Sequence, residues 1–216
     1  MNWLFYLSLV GSLFTAQSYK PVDTLNLSQY DGLWYEIYGD RADRAFQGFG
    51  TCITAEYTIE NENNVSVFNR EIRKDGTVDT IEGYAFYEDN CTGGDLTVYL
   101  EGTASTAPYW VLKLGPVVND EYDYAIVSDD KQFTLFVLVR NVTNFFELYN
   151  DDVMDTLVEM GFTKKINEPM LIEQYTECVY SDDDSDVYVD DNVVEEEEDV
   201  TKEEEEEEDV TEEERE

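Results

Sequence analysis

Apolar and polar side chains alternate through the middle of the chain. Ile53-Thr54-Ala55-Glu56-Tyr57-Thr58-Ile59 puts Ile53, Ala55, Tyr57 and Ile59 on one face, the period-two pattern of a half-buried strand. Runs of similar β-rich character lie at 65–72, 80–87, 96–101, 109–114, 123–128 and 133–140, and Trp34 to Tyr38 adds one more. Turn-forming clusters separate most of them: Glu60-Asn61-Glu62-Asn63, Lys74-Asp75-Gly76, Gly93-Gly94-Asp95, Asp120-Glu121 and Ser128-Asp129-Asp130-Lys131. About eight short strands joined mainly by hairpin-sized links predict an all-β fold. The arrangement that suits them is an eight-stranded antiparallel up-and-down barrel, just wide enough to hold one small ligand.

The period changes after the last strand. From Asn144 to Gly161, Phe145, Leu148, Tyr149, Val153, Leu157 and Met160 recur at helical spacing. This predicts one C-terminal α-helix, stopped by Gly161 and packed by its apolar stripe against the outside of the barrel.

The two ends read differently from the body. Residues 1–18 carry no charged side chain, and their apolar run from Trp3 to about Ala16 is shorter than the roughly 20 residues a spanning helix needs. With the small-residue ending Ala16-Gln17-Ser18, the segment reads as a signal peptide cut near Ser18, and the protein as secreted. No cysteine follows the run directly and the C-terminus is charged, so no stable membrane anchor is expected. Residues 181–216 hold 22 acids against Lys202 and Arg215, with Glu-Glu-Glu-Glu-Asp-Val-Thr at 195–201 and again at 205–211. So dense a run of like charge reads as a disordered acidic tail. That leaves 19–180 as one barrel domain.

Charge then narrows the function. The whole chain of 216 residues has a net charge of -38, of which the tail carries -20, leaving -18 for the rest. A surface this negative repels phosphate backbones, so nucleic acid is not an expected partner. The chain has no histidine, which removes Ser-His-Asp and Cys-His nucleophile activation and every His-ligated metal site. No catalytic residue, metal or cofactor is expected. The tail could dock a basic protein partner or bind calcium weakly through many carboxylates, and it could equally be a solubilising extension. Four sequons, at Asn26, Asn64, Asn90 and Asn141, suggest a glycoprotein in a secreted chain.

Several motifs carry a family resemblance. Tyr30-Asp31-Gly32-Leu33-Trp34-Tyr35-Glu36-Ile37 resembles the Gly-x-Trp motif on the first strand of lipocalins. Asp123-Tyr124-Ala125-Ile126-Val127 looks like their second motif, and Phe136 to Asn141, with Arg140, like their third. Lys74 to Val78 with Ile81-Glu82-Gly83, and Ala107 to Leu112, resemble the branch of apolipoprotein D and the bacterial outer-membrane lipocalins. The resemblance covers about 26–178 and implies a lipocalin calyx. It marks Gly32, Trp34 and Arg140 as fold-defining. Trp34 and Arg140 lie on strands that must meet to close a barrel, and a guanidinium stacked on an indole would join them.

The resemblance also implies a disulfide between Cys52 and Cys178. Cys91 is then left over, and a monomer or a Cys91-linked dimer is open. Tyr57, Asn69, Phe136 and Leu138 resemble pocket-lining positions of the branch, and Tyr124 is a further candidate, with Tyr84, Phe86 and Tyr99 less certain contributors. The implied function is reversible binding or transport of a fatty acid, sterol or other lipophile in the barrel cavity. Two other classes compete: a lipocalin-fold enzyme acting on a bound lipid, and an interaction protein working through its acidic tail.

Overall fold

A computed structural model describes residues 19–42, 49–89, 91–175, 178 and 180. The signal peptide read at 1–18, the tail read at 181–216 and the sequon residue Asn90 lie outside the described residues.

The alternating runs become eight barrel strands: β1 (Gly32–Gly39), β2 (Thr51–Asn61), β3 (Asn64–Ile72), β4 (Val78–Phe86), β5 (Asp95–Leu100), β6 (Ala107–Leu114), β7 (Tyr124–Ser128) and β8 (Leu135–Val139). Each pairs antiparallel with its sequence neighbour, and β8 pairs back onto β1, which closes the sheet on itself. Closure removes the free edges that an open eight-stranded sheet would present. The β1–β8 register slips between Glu36 and Tyr38, so β1 turns Ile37 and Tyr38 toward the outer packing while Trp34 stays in the inner cluster. A two-residue ribbon, Val117–Val118 with Glu121–Tyr122, decorates the β6–β7 connection, and β9 (Met170–Leu171) pairs with β1.

The short helix α1 (Leu27–Tyr30) lies directly before β1, and Asn26 caps it by accepting from the Ser28 amide at 3.0 Å. It plugs the end of the barrel where β1 begins. The β1–β2, β3–β4, β5–β6 and β7–β8 links all fall at the other end.

After β8 the helical stretch forms two pieces, α2 (Val142–Leu148) and α3 (Asn150–Met160). The side chain of Asn141 caps α2, and α3 ends at Gly161 with φ 91°. Tyr149 between them has φ -127°, which interrupts the helical phase. The helical spacing predicts one continuous stripe. Instead Phe145, Val153, Leu157 and Met160 are buried while Leu148 points to solvent at 62% exposure.

The apolar residues therefore fall into two main clusters. One fills the barrel interior with Trp34, Ala55, Tyr57, Val67, Val111, Val127 and Leu138. The other lies between the outer barrel wall and the helices, with Ile37, Ile126, Leu135, Val137, Phe145 and Leu157. Beyond β9 the chain crosses the start of β2, and Cys178 is bonded to Cys52 there with Cα atoms 5.6 Å apart.

Candidate functional site: a closed-bottomed cavity

Arg140 and Trp34 define the closed end. The guanidinium carbon lies 3.8 Å from the centre of the Trp34 ring, and the indole N–H donates to the Tyr30 carbonyl at 2.8 Å. Arg140 donates to the carbonyls of Leu33 and Asp31, each at 2.5 Å, so it ties β8 to the segment entering β1. Burial lowers the guanidinium from its ordinary range, and the Glu121 carboxylate, 3.9 Å away, works against that. Gly32 has φ +94°, and a Cβ there would sit 3.4 Å from Arg140 Nη1. That left-handed conformation is what the sequence needs a glycine for.

Above this floor the inward residues leave an open cavity of about 400 Å³. Ile53, Ala55, Val67, Val98, Leu100, Phe136 and Leu138 make an apolar wall, and Tyr57 and Tyr109 form its base. Thr103, Ser128, Asp129, Phe133 and Thr134, near the β5–β6 and β7–β8 links, line the mouth. Polar groups are few. Asn69 faces the cavity with a buried Oδ1 that has no hydrogen-bond partner among the described residues. The charged residues on the described wall are both acids, Glu36 and Asp129.

The tyrosines at the base are linked. Tyr109 is hydrogen-bonded to Tyr30 at 2.7 Å and to Tyr57 at 2.8 Å, hydroxyl to hydroxyl. Burial raises all three phenols well above their ordinary value. They stay protonated, neutral and able to donate across the physiological range.

Of the residues read from sequence, Tyr57, Asn69, Phe136 and Leu138 lie together on the cavity wall. Tyr124 does not, and its assignment is corrected. Its ring packs outside the barrel, with centroids 5.3 Å from Tyr149 and 6.2 Å from Phe145. Ala125 and Val127 belong to the inner cluster. Since all five residues of β7 are buried, polarity could not separate its two faces. Tyr84, Phe86 and Tyr99 are likewise outside the cavity lining and stack on one another, at 5.8 Å and 5.3 Å from Tyr84. The β4 and β5 positions packed in the barrel interior are Ala85, Leu96, Val98 and Leu100. Tyr109, Tyr30 and Glu36 were missed as site residues, although all three lie inside the recognised motifs. The available signal was Tyr57 and Tyr109 at period-two positions of two separate strands.

Asn26 and Asn141 are exposed at helix starts, and Asn64 opens β3 partly buried. Cys91 lies in the β4–β5 link, at the end of the barrel away from the mouth, without a disulfide partner. Partial burial, Asp95 and Glu88 push its thiol up, away from the reactive thiolate. Among the described residues no cluster of His, Cys, Asp and Glu could hold a metal ion.

Comparison with known proteins agrees with this architecture. The family model described as "Lipocalin-like domain" matches residues 25–170. Apolipoprotein D of Bos taurus is 37% identical over 110 residues, which is 50% of this chain and 54% of that protein, so the match spans about half of that relative. "Outer membrane lipoprotein Blc" of Vibrio cholerae is 31% identical over 165 residues, 76% of this chain and 90% of that protein. Lobster apocrustacyanin A1 has the same fold, with a TM-score of 0.56 at 17% identity, covering 72% of this chain and 83% of its own. A barrel closed by an arginine–tryptophan stack, open at the other end and flanked by helices, together with these matches, places the chain in the lipocalin family.

Proposed function

We propose that this protein binds and carries a small hydrophobic ligand, a sterol, fatty acid or other lipophile, in the barrel cavity. The observation that carries the reading is the cavity of about 400 Å³ with a nearly continuous apolar wall and few polar groups. A ligand there leaves water on all sides but the mouth. Each Å² of apolar surface it buries contributes about 25 cal/mol, and the sparse polar groups set its orientation. Asp129 at the mouth disfavours a carboxylate head there. Catalysis on the bound lipid is the weaker reading, because Cys91 lies away from the mouth with its thiol held protonated.

Phe136→Ala should weaken an uncharged fluorescent lipophile about tenfold or more, because it removes a large apolar contact from the wall. Asn69→Leu should tighten the same probe a few-fold, since it replaces an unpartnered buried carbonyl with an apolar side chain. Neither change should unfold the barrel, and a chain ending at Tyr180 should bind as the full chain does. Fluorescence titration with thermal melting checks all three. Unchanged affinity in both variants would show that the ligand sits elsewhere.

An apolar leader, four sequons and a disulfide suit a secreted glycoprotein. Peptide-N-glycosidase treatment of protein secreted from a eukaryotic cell should raise its gel mobility. No shift would remove the glycoprotein from the reading.

A further inference from the structure

The floor of the cavity carries one more hydroxyl proton than it can use. Tyr30, Tyr57 and Tyr109 come from α1, β2 and β6, and their oxygens form a chain with Tyr109 in the middle. Three phenols hold three O–H protons, yet the chain contains two hydrogen bonds, and these oxygens make no others to the described residues. One donor is therefore left over in any arrangement of the protons. Among the described residues no hydrogen bond absorbs it: Trp34, Val65, Val67, Leu96 and Val111 pack in the same cluster and offer apolar surface.

Position decides where that donor is useful. Tyr57 and Tyr109 line the cavity, whereas Tyr30 lies beneath, its ring 5.0 Å from Trp34 and 5.3 Å from Tyr57. When Tyr30 donates to Tyr109, the spare proton sits on Tyr57 or on Tyr109. Both are cavity-facing. A buried donor without an acceptor is costly, so a ligand oxygen placed there gains more than the same oxygen would at a solvated mouth.

We propose that the Tyr30–Tyr109–Tyr57 cluster is a receptor for an acceptor oxygen on a neutral lipophile, a ketone or ester carbonyl, which enters oxygen-first with its apolar body lying toward Phe136 and the mouth. This rests on reading the cavity as a lipophile site and adds to it the head group and the orientation. A carboxylate would also accept the bond, but it is the poorer occupant. An ionised head gives up its hydration to enter this apolar-walled cavity, a cost that a neutral carbonyl escapes.

The test displaces a neutral fluorescent probe, Nile red, from the full chain with pentadecan-2-one, pentadecane and pentadecanoate. The ketone should compete about tenfold better than the alkane, and better than the carboxylate. Tyr30→Phe should keep that preference, because Tyr57 and Tyr109 still hold two protons for one bond. Tyr57→Phe with Tyr109→Phe should abolish it, so that ketone and alkane compete alike. The triple variant that also carries Tyr30→Phe leaves no stranded hydroxyl, so it separates a lost receptor from a disturbed fold. It too should bind ketone and alkane alike. A ketone preference that survives in the double and triple variants, or is missing from the unaltered protein while Nile red and alkane bind, overturns the receptor and leaves the lipophile reading standing. If none of the ligands nor Nile red binds, both fall.

Discussion

Trp34→Ala should destabilise the barrel by about 3–5 kcal/mol, the cost of emptying a buried aromatic site. Trp34 is 0% exposed and contacts both ends of the closure: its N–H holds the Tyr30 carbonyl and its ring carries Arg140. Removing it therefore leaves more than a void. The Arg140 guanidinium loses the π-face that compensates part of its burial, worth about 0.5–2 kcal/mol, while its bonds to the Leu33 and Asp31 carbonyls still hold it in place. The Tyr30 ring loses the surface it rests on, so the plug helix α1 should loosen with it. Differential scanning calorimetry should record a Tm lower by on the order of 10 °C. An unchanged Tm would mean that the stack does not hold the barrel closed. Trp34→Phe keeps an aromatic face and should recover much of the loss.

Replacing Cys52 and Cys178 by serine should have an effect of similar size through a different route. The bond closes a loop with a sequence separation of 126. In the chain-entropy model that restriction of the unfolded chain stabilises the fold by up to about 5 kcal/mol. The native contacts around it are local. The Cys52 amide donates to the Glu173 carbonyl at 2.9 Å, Gln174 donates to the carbonyls of Glu36 and Ile53, each at 2.9 Å, and Tyr180 packs edge-on against Tyr35. These contacts should keep the crossing segment largely docked at low temperature. The variant should thus fold but melt on the order of 10 °C lower, and the unaltered protein in strong reductant should melt with it. Equal melting with and without the bond would show that the docked segment alone holds this end.

How far the sequence foretells the fold is clear strand by strand. β2 and β3 alternate along much of their length and cover one face with core, so their existence and inward faces are legible in Ile53, Ala55, Tyr57, Val65 and Val67. β7 is the contrary case. Tyr124, Ala125, Ile126 and Val127 are all buried, because helices cover the outer surface of that strand, and a run apolar on both sides has no readable face. The helix is intermediate: its position and its Gly161 stop follow from spacing, but the break at Tyr149, which puts Leu148 into water, does not.

The candidate site divides in the same way. Tyr57, Asn69, Phe136 and Leu138 could be named because their motifs resemble a family and their strand positions alternate. The floor could not. Tyr30, Tyr57 and Tyr109 are separated by 27 and 52 residues along the chain and meet only because the closed sheet and the α1 plug bring their hydroxyls within 2.7 and 2.8 Å. By itself the sequence determined the eight barrel strands and their order, the helical stretch after them and the residues that close the barrel, since these follow from local pattern and motif. Only the tertiary structure decided which face of each fully apolar strand looks inward, and where three distant phenols leave a proton unused. Those depend on the curvature and stagger of the closed barrel, which no local pattern contains.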